Sequence, residues 1–272
     1  MPRPITKDTT LCMSLAARPS NFGTRFHNYL YEALDLDYLY KAFTTADLPA
    51  AIGGVRALGI RGCAISMPFK EAVIALVDEM DESARAIESV NTLVNTAGHL
   101  KAYNTDYVAI RKLLAAHRVP PDCAFALRGS GGMAKAVACA LRDAGFRTGT
   151  IVARNEAAGK ALAGLYGFDW RAEMGDWTAD LLINVTPLGM AGGAEAETLA
   201  FDDAAIRAAR MVFDVVALPA ETPLIRRAQA RGKPVITGAE VFAIQAVEQF
   251  ALYTGVRPDD ALFKRAAAYA RG

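Results

Sequence analysis

The chain has 272 residues, a length for about two domains at roughly 150 residues each. Apolar residues make up 53% of it and charged residues 22%, which excludes an intrinsically disordered chain and a long coiled coil. Lys and Arg total 30 against 29 Asp and Glu, a formal net charge of +1; nucleic acid and anionic membrane both need a basic face and are not expected partners.

From the N-terminus, Met1–Thr10 is polar and lacks the apolar core of a secretory signal. Leu11–Ser14, Tyr38–Lys41 and Cys63–Ser66 read as strands. Asp47–Leu58 reads as a helix with Asp47 as N-cap, although Gly53 and Gly54 inside it cost about 1 kcal/mol each relative to alanine. Tyr107–His117 is a helix joining two halves of the chain. Beyond it Phe125–Leu127, Thr150–Ala153, Leu181–Val185, Met211–Val216 and Pro234–Ile236 are short apolar runs. Helical windows at Met133–Ala144, Ala157–Tyr166 and Pro223–Arg231 separate them. Apolar strands without alternation, each followed by a helix, predict a parallel sheet covered on both faces. Glu240–Gly272 is helical without strands and is expected to pack back on the first half. The expected fold is therefore α/β in two domains: 1–106, with 239–272 returning to it, and a Rossmann-type doubly wound sheet at 107–238. Helices at both crossings would form hinges beside a cleft, where small molecules commonly bind. No apolar run is long enough to cross a bilayer. Cys12, Cys63, Cys123 and Cys139 are scattered and read as buried thiols of a cytoplasmic protein with no metal site.

Phe125–Arg128 runs into Gly129, Ser130, Gly131, Gly132, Met133 and Ala134. This is a strand, a GxGxxA turn and a helix start, the arrangement that binds a dinucleotide pyrophosphate. Gly129 permits the tight turn, Gly131 lets the backbone approach the phosphates, and Ala134 keeps the helix close to the strand. About 20 residues on, where an NAD site carries Asp or Glu, stand Ala153, Arg154 and Asn155. A guanidinium grips a 2′-phosphate that a carboxylate would repel. The expected cofactor is NADP, with Glu156 nearby as a complication.

In the first half, Ser66-Met-Pro-Phe-Lys70 follows a buried-looking strand. A lysine in a first helical turn opposes the helix dipole, so Lys70 needs a reason or an exposed position. Ser89-Val-Asn91-Thr-Leu93 and Tyr103-Asn-Thr-Asp106 each set polar groups at the end of an apolar segment. On local grounds Asn104-Thr105-Asp106 reads equally as a plain helix cap, and Asn91 as a turn former. In combination with the glycine turn these segments resemble the shikimate dehydrogenase family, whose pattern is S/T-x-P-F-K, V-N-T, N-T-D and a glycine-rich turn. Ile183-Asn-Val-Thr186-Pro-Leu-Gly-Met190 is similar to its I-N-x-T-x-x-G-M. Asp214-Val215-Val-Ala-Leu-Pro219 with Thr222-Pro-Leu224 is similar to D-x-x-Y-x-P…T-P-L. Gly238…Gln245-Ala246 matches the closing G…Q-A helix.

The resemblance implies a catalytic pair, Lys70 and Asp106, with Ser66, Asn91, Asp106 and Gln245 on the substrate. It implies a cofactor lining of Gly129–Ala134, Arg154, Asn155, Thr186, Val215 and Gly238. The activity it implies is interconversion of shikimate and 3-dehydroshikimate by hydride transfer with NADP(H), in aromatic amino acid biosynthesis, by a monomer or homodimer. Hydroxyl oxidation needs a group that takes the proton and tolerates a developing alkoxide. With His27, His99 and His117 the only histidines, a lysine–aspartate pair is the natural device. Gln245 shares a helical stripe with the apolar Val241 and Leu252.

The chain departs from the family at four places. The family's H-S-x-S-P-x-x-H-N reads here Ser20-Asn21-Phe-Gly23-Thr24-Arg-Phe-His27-Asn28, so Asn21 and Gly23 replace the two serines that bind a carboxylate. Asn21, Thr24 and the N–H groups of a helix start are the substitutes, with Arg18 or Arg25 adding charge. Ala217 stands where the family has a tyrosine, Tyr107 where it has a glycine, and Ala64 where asparagine is common. These changes predict altered substrate preference. Quinate or another cyclic polyol acid is the first alternative, and a catalytically silent NADP-binding regulatory protein is the alternative of another class. A folate or amino-acid dehydrogenase fits the P-F-K and N-T-D segments poorly.

Overall fold

The structure is a computed structural model that describes residues 4–271. Part of the polar segment Met1–Thr10, and Gly272 of the last helical stretch, lie outside the described residues. The chain divides into two compact units, one running up to Thr105 and resuming at Ala243, the other Asp106–Phe242. Among the described residues each unit holds one six-stranded sheet.

The first unit begins β1 (Thr10–Leu15), α1 (Phe22–Ala33), β2 (Tyr38–Phe43), α2 (Leu48–Ala57), β3 (Gly62–Ile65) and a single-turn α3 (Phe69–Ala72) running into a 3-10 turn at Val73–Leu76. It continues with β4 (Glu79–Met80), α4 (Glu82–Arg85), β5 (Thr92–Thr96) and β6 (His99–Tyr103). Strand order is β2-β1-β3-β5-β6-β4. β1 is parallel to both neighbours, whereas β5 is antiparallel to β3 and β6. The predicted cap on α2 forms, with Asp47 accepting from the Ala50 N–H at 2.9 Å. Gly53 and Gly54 are tolerated because Leu48, Ile52 and Val55 are buried, and each buried aliphatic stabilises by about 1.5–3 kcal/mol. β1 is covered on both faces: Cys12 packs with the aromatics of α1, and Met13 and Leu15 with α2.

The second unit contains most of α5 (Thr105–Ala116), then β7 (Phe125–Arg128), α6 (Gly132–Asp143), β8 (Gly149–Val152), α7 (Glu156–Tyr166), β9 (Asp169–Arg171) and β10 (Leu181–Asn184). α8 (Asp203–Ala208), β11 (Met211–Asp214), α9 (Pro223–Ala230), β12 (Val235–Thr237) and the start of α10 (Gly238–Thr254) complete it. The rest of α10 and α11 (Asp260–Arg271) belong to the first unit. All pairings in the order β12-β11-β10-β7-β8-β9 are parallel. The order reverses between β10 and β7, so this is a doubly wound sheet whose switch point lies at the end of β7. Phe125, Ala126, Leu127, Leu182, Ile183, Val212 and Phe213 are fully buried, as strands covered on both faces require. Four strands absent from the sequence reading, β4, β5, β6 and β9, are short or carry polar residues.

His27 lies inside the first core with no exposed surface. Its ring stacks on Tyr40 with centroids 4.3 Å apart, and neither ring nitrogen has a hydrogen-bond partner. Burial pushes its pKa down to about 3. On unfolding the ring regains its ordinary affinity for a proton, so stability is retained above pH 6.5 and falls as the pH drops toward 3. The slope from this group is about 1.4 kcal/mol per pH unit. Urea unfolding followed by circular dichroism at pH 7, 6 and 5 is expected to show that fall, and His27→Phe is expected to flatten it. Equal slopes in the two proteins would place the acid sensitivity elsewhere.

Candidate active site

In the first unit the loops after β3 and before β5 meet through the backbone. The Ile65 N–H donates to the Asn91 carbonyl at 2.8 Å and the Val90 N–H donates to the Lys70 carbonyl at 2.9 Å. Ser66, Lys70 and Asn91 are thereby gathered at one edge. Ser66 is exposed, Lys70 half-buried and Asn91 fully buried. α3 is a single turn, so the dipole opposing Lys70 is far weaker than a full helix would give. The dipole argument from the sequence loses its force, and the position of Lys70 rests on its anchored backbone.

Asn91 is the hub of this edge. Its Oδ1 accepts from Thr92 Oγ1 at 2.8 Å, from the Thr105 N–H at 2.8 Å and from Thr105 Oγ1 at 3.2 Å. Its Nδ2 is buried with no acceptor. Gln249 of α10 donates to the Asn91 carbonyl at 3.2 Å and to Thr92 Oγ1 at 2.9 Å. Gln245, the residue singled out from the sequence, is half-buried one helical turn earlier. Gln249 was legible only as that i,i+4 neighbour. Asn104 also ties this edge together, its Nδ2 donating to the Ser89 carbonyl at 2.8 Å. Asp106 follows Thr105 in the first turn of α5 and is 2% exposed. At the start of α1, Asn21 is exposed and makes no side-chain cap, and Thr24 is half-buried. The first N–H groups of that helix receive nothing from Asn21, which leaves room for an anion.

In the second unit the glycine turn occupies the switch point. Gly129 has φ +126°, and a Cβ there would lie 2.7 Å from Val185 Cγ2, so backbone conformation and packing both demand glycine. Gly131, the N-cap of α6, has an ordinary φ of −86°, and a Cβ there would meet no protein atom within 4 Å. Neither packing nor backbone conformation within the protein therefore requires glycine at this position. α6 has no acidic residue in its first turn and no side-chain cap. Its free N–H groups, together with Ser130, Gly132 and Met133, can take a pyrophosphate, and Ala134 is fully buried against the sheet.

Arg154 is exposed beyond β8. Asn155 caps α7, accepting from the Ala158 N–H at 3.1 Å, and the Glu156 carboxylate is paired with Lys160 Nζ at 2.6 Å. Thr186 donates from Oγ1 to Asn184 Oδ1 at 2.6 Å. Asn184 Nδ2 in turn donates to Asp214 Oδ1 at 3.0 Å. Asp214 Oδ1 also accepts from the Val216 N–H at 3.1 Å, and its Oδ2 from Thr222 Oγ1 at 2.6 Å. Burial pushes the Asp214 carboxyl up to about 6, against these three donors. The network fixes the loops after β10 and β11, which carry Thr186 and Val215. Gly238 opens α10 against the carbonyl oxygens of Val215 and Val216, where a Cβ would collide with both. Tyr107 is tied within the same unit: its hydroxyl donates to Asp143 Oδ2 at 2.7 Å. Ala217 is half-buried. Among the described residues no cluster of three or more His, Cys, Asp or Glu is placed to hold a metal, and no helix is long and apolar enough to cross a membrane.

Residues 22–93 match the family model described as the shikimate dehydrogenase substrate binding domain. A "shikimate dehydrogenase-like protein" of Haemophilus influenzae is 57% identical over 267 residues, 98% of either chain. Two solved structures match at lower identity. A shikimate 5-dehydrogenase from Thermus thermophilus in complex with NADP(H) and shikimate is 29% identical at TM-score 0.86, covering 96% of this chain and 99% of that one. A quinate dehydrogenase from Corynebacterium glutamicum in complex with NAD is 27% identical at TM-score 0.86, covering 96% and 98%. With more than half its residues shared with one relative across nearly the full length of both, and a parallel sheet wound about a glycine turn, the chain belongs to the shikimate dehydrogenase family.

Proposed function

We propose that the protein is an NADP-dependent oxidoreductase that interconverts a cyclic hydroxy acid and its ketone, with shikimate and 3-dehydroshikimate as the first pair. The observation that supports it most is Asn91: a fully buried amide whose Nδ2 lacks an acceptor, at the same edge as Ser66 and Lys70. A buried donor left unmade costs about 1–3 kcal/mol, and a substrate hydroxyl oxygen would satisfy it. The unit containing β1–β6 then binds the acid and the doubly wound unit the dinucleotide. Bound NADP(H) supplies the hydride chemistry. Lys70 takes the hydroxyl proton during oxidation and returns it to the carbonyl oxygen during reduction, with Asp106 as its charge partner and as a substrate contact. Asn91, Ser66 and Gln245 orient the ring. Asn21, Thr24 and the N-terminus of α1 hold the carboxylate in place of the family's two serines. Gly129, Ser130, Gly131, Gly132, Met133 and Ala134 cradle the pyrophosphate, Arg154 and Asn155 the adenosine end, and Thr186, Val215 and Gly238 the nicotinamide end.

The uncapped, exposed Asn21 and the half-buried Ala217 favour a second reading, quinate or another cyclic polyol acid as the preferred substrate. The Corynebacterium glutamicum quinate dehydrogenase shares the fold. Initial rates of NADPH formation at 340 nm with shikimate and then quinate test both readings. Turnover with NADP and one of these acids is expected, and the ratio of kcat/KM ranks them. Tight NADPH binding with no turnover on either acid would replace the enzyme reading with that of a dinucleotide-binding regulator.

A further inference from the structure

Arg128, the last residue of β7, is not apolar like the rest of its strand. Its Nε is buried without a hydrogen-bond partner, and its guanidinium lies 5.2 Å from the centre of the fully buried Phe201 ring. Burial acts first against its cation. Glu173 and Asp202 favour the charge from a distance, while Arg154 opposes it. Arg128 is in register with Val152 of β8, and the chain reaches Arg154 two residues later. Adjacent strand ends lie about 4.8 Å apart, so two guanidinium groups rise from neighbouring strand ends beside the glycine turn. A desolvated cation with an unmade donor, facing a like charge, is costly by itself. A doubly charged anion between the two groups would remove the repulsion and satisfy the donor.

We propose that Arg128 is a second cofactor-binding residue that, with Arg154, clamps the 2′-phosphomonoester of the dinucleotide, and that it sets the preference for NADP over NAD. The proposal rests on the dinucleotide reading above. The Phe201 ring lies within cation–π distance of the guanidinium, and a guanidinium offers phosphate oxygens the fork geometry that lysine does not.

The test is calorimetric binding of adenosine 2′,5′-bisphosphate and of adenosine 5′-monophosphate, which differ only in the 2′-phosphate, to the full chain and to its variants. The wild type is expected to prefer the bisphosphate. Arg128→Met is expected to weaken bisphosphate binding by about ten- to a hundredfold and to leave the monophosphate unchanged. The ligand-free Tm of that variant should be unchanged or raised, because a half-buried cation with an unmade buried donor is gone. A merely structural arginine would instead lower Tm and weaken both ligands alike, and that result overturns the clamp. So does an unchanged preference in Arg128→Met, or in Arg128→Gln if the methionine variant does not fold. A wild type that binds both ligands equally would sink the NADP reading itself, whereas a preference carried by Arg154 alone would sink only the role of Arg128.

Discussion

Lys70→Ala is expected to lower kcat by about 10²–10⁴-fold, the range for removal of a positioned general acid–base group, while KM for the acid changes little. The reasoning is differential: the proton moves in the transition state, so the group that handles it acts there more than in the ground-state complex. The variant should fold normally. Lys70 is half-buried in a single-turn helix whose backbone is held by Val90, and none of that anchoring uses the side chain. Rates at saturating NADP, with an unchanged Tm as control, give the answer. A kcat within a few-fold of wild type would remove Lys70 from the chemistry and leave Asp106 to be tested as the sole proton carrier.

The second large effect is expected on stability. Asp214→Ala leaves the Thr222 hydroxyl, the Asn184 amide and the Val216 N–H without their shared acceptor, in a place with no exposed surface. Each unmade buried bond costs about 1–3 kcal/mol; allowing for relaxation, about 3 kcal/mol in total is expected. Asp214→Asn keeps an acceptor oxygen but turns two donors against one of the existing ones, and should cost less than the alanine. Both tryptophans, Trp170 and Trp177, lie in this unit, so the midpoint of urea unfolding by intrinsic fluorescence reads the effect directly. Because the network also holds the loops bearing Thr186 and Val215, a weaker affinity for dinucleotide is expected alongside. A midpoint within error of wild type for the alanine variant would contradict the network's structural role.

How legible this was in the sequence depended on where each element finds its partners. The strands of the doubly wound sheet are short apolar runs followed by helices, so period and punctuation identified Phe125–Arg128, Leu181–Asn184 and Met211–Asp214 almost to the residue. The hairpin β5–β6 escaped the same reading because Asn91, Thr92, Asn95 and Thr96 break its apolar pattern. The buried Thr92 and Asn95 are tolerated inside because distant segments satisfy them. Gln249 reaches Thr92 across 157 positions, and Asn95 donates to the Val55 carbonyl. No local window reports such a bond. The hairpin's own turn, with left-handed Ala97 and Gly98, was the signal available. At the candidate site, motif order singled out Lys70, Asn91 and Asp106, but not which atom of Asn91 lacks a partner, nor that the Tyr107 hydroxyl is engaged by Asp143. Arg128 was passed over because a residue preceding a glycine turn carries no pattern of its own.

Gly131 and Gly238 are the same amino acid in opposite surroundings. At Gly238 the protein's own carbonyl oxygens fill the space a side chain would need; at Gly131 that space is empty of protein. A survey of variants scored by cellular abundance is therefore expected to flag Gly238 as intolerant and to pass Gly131 as freely replaceable, so that only a readout of dinucleotide binding could reveal a role for the second position.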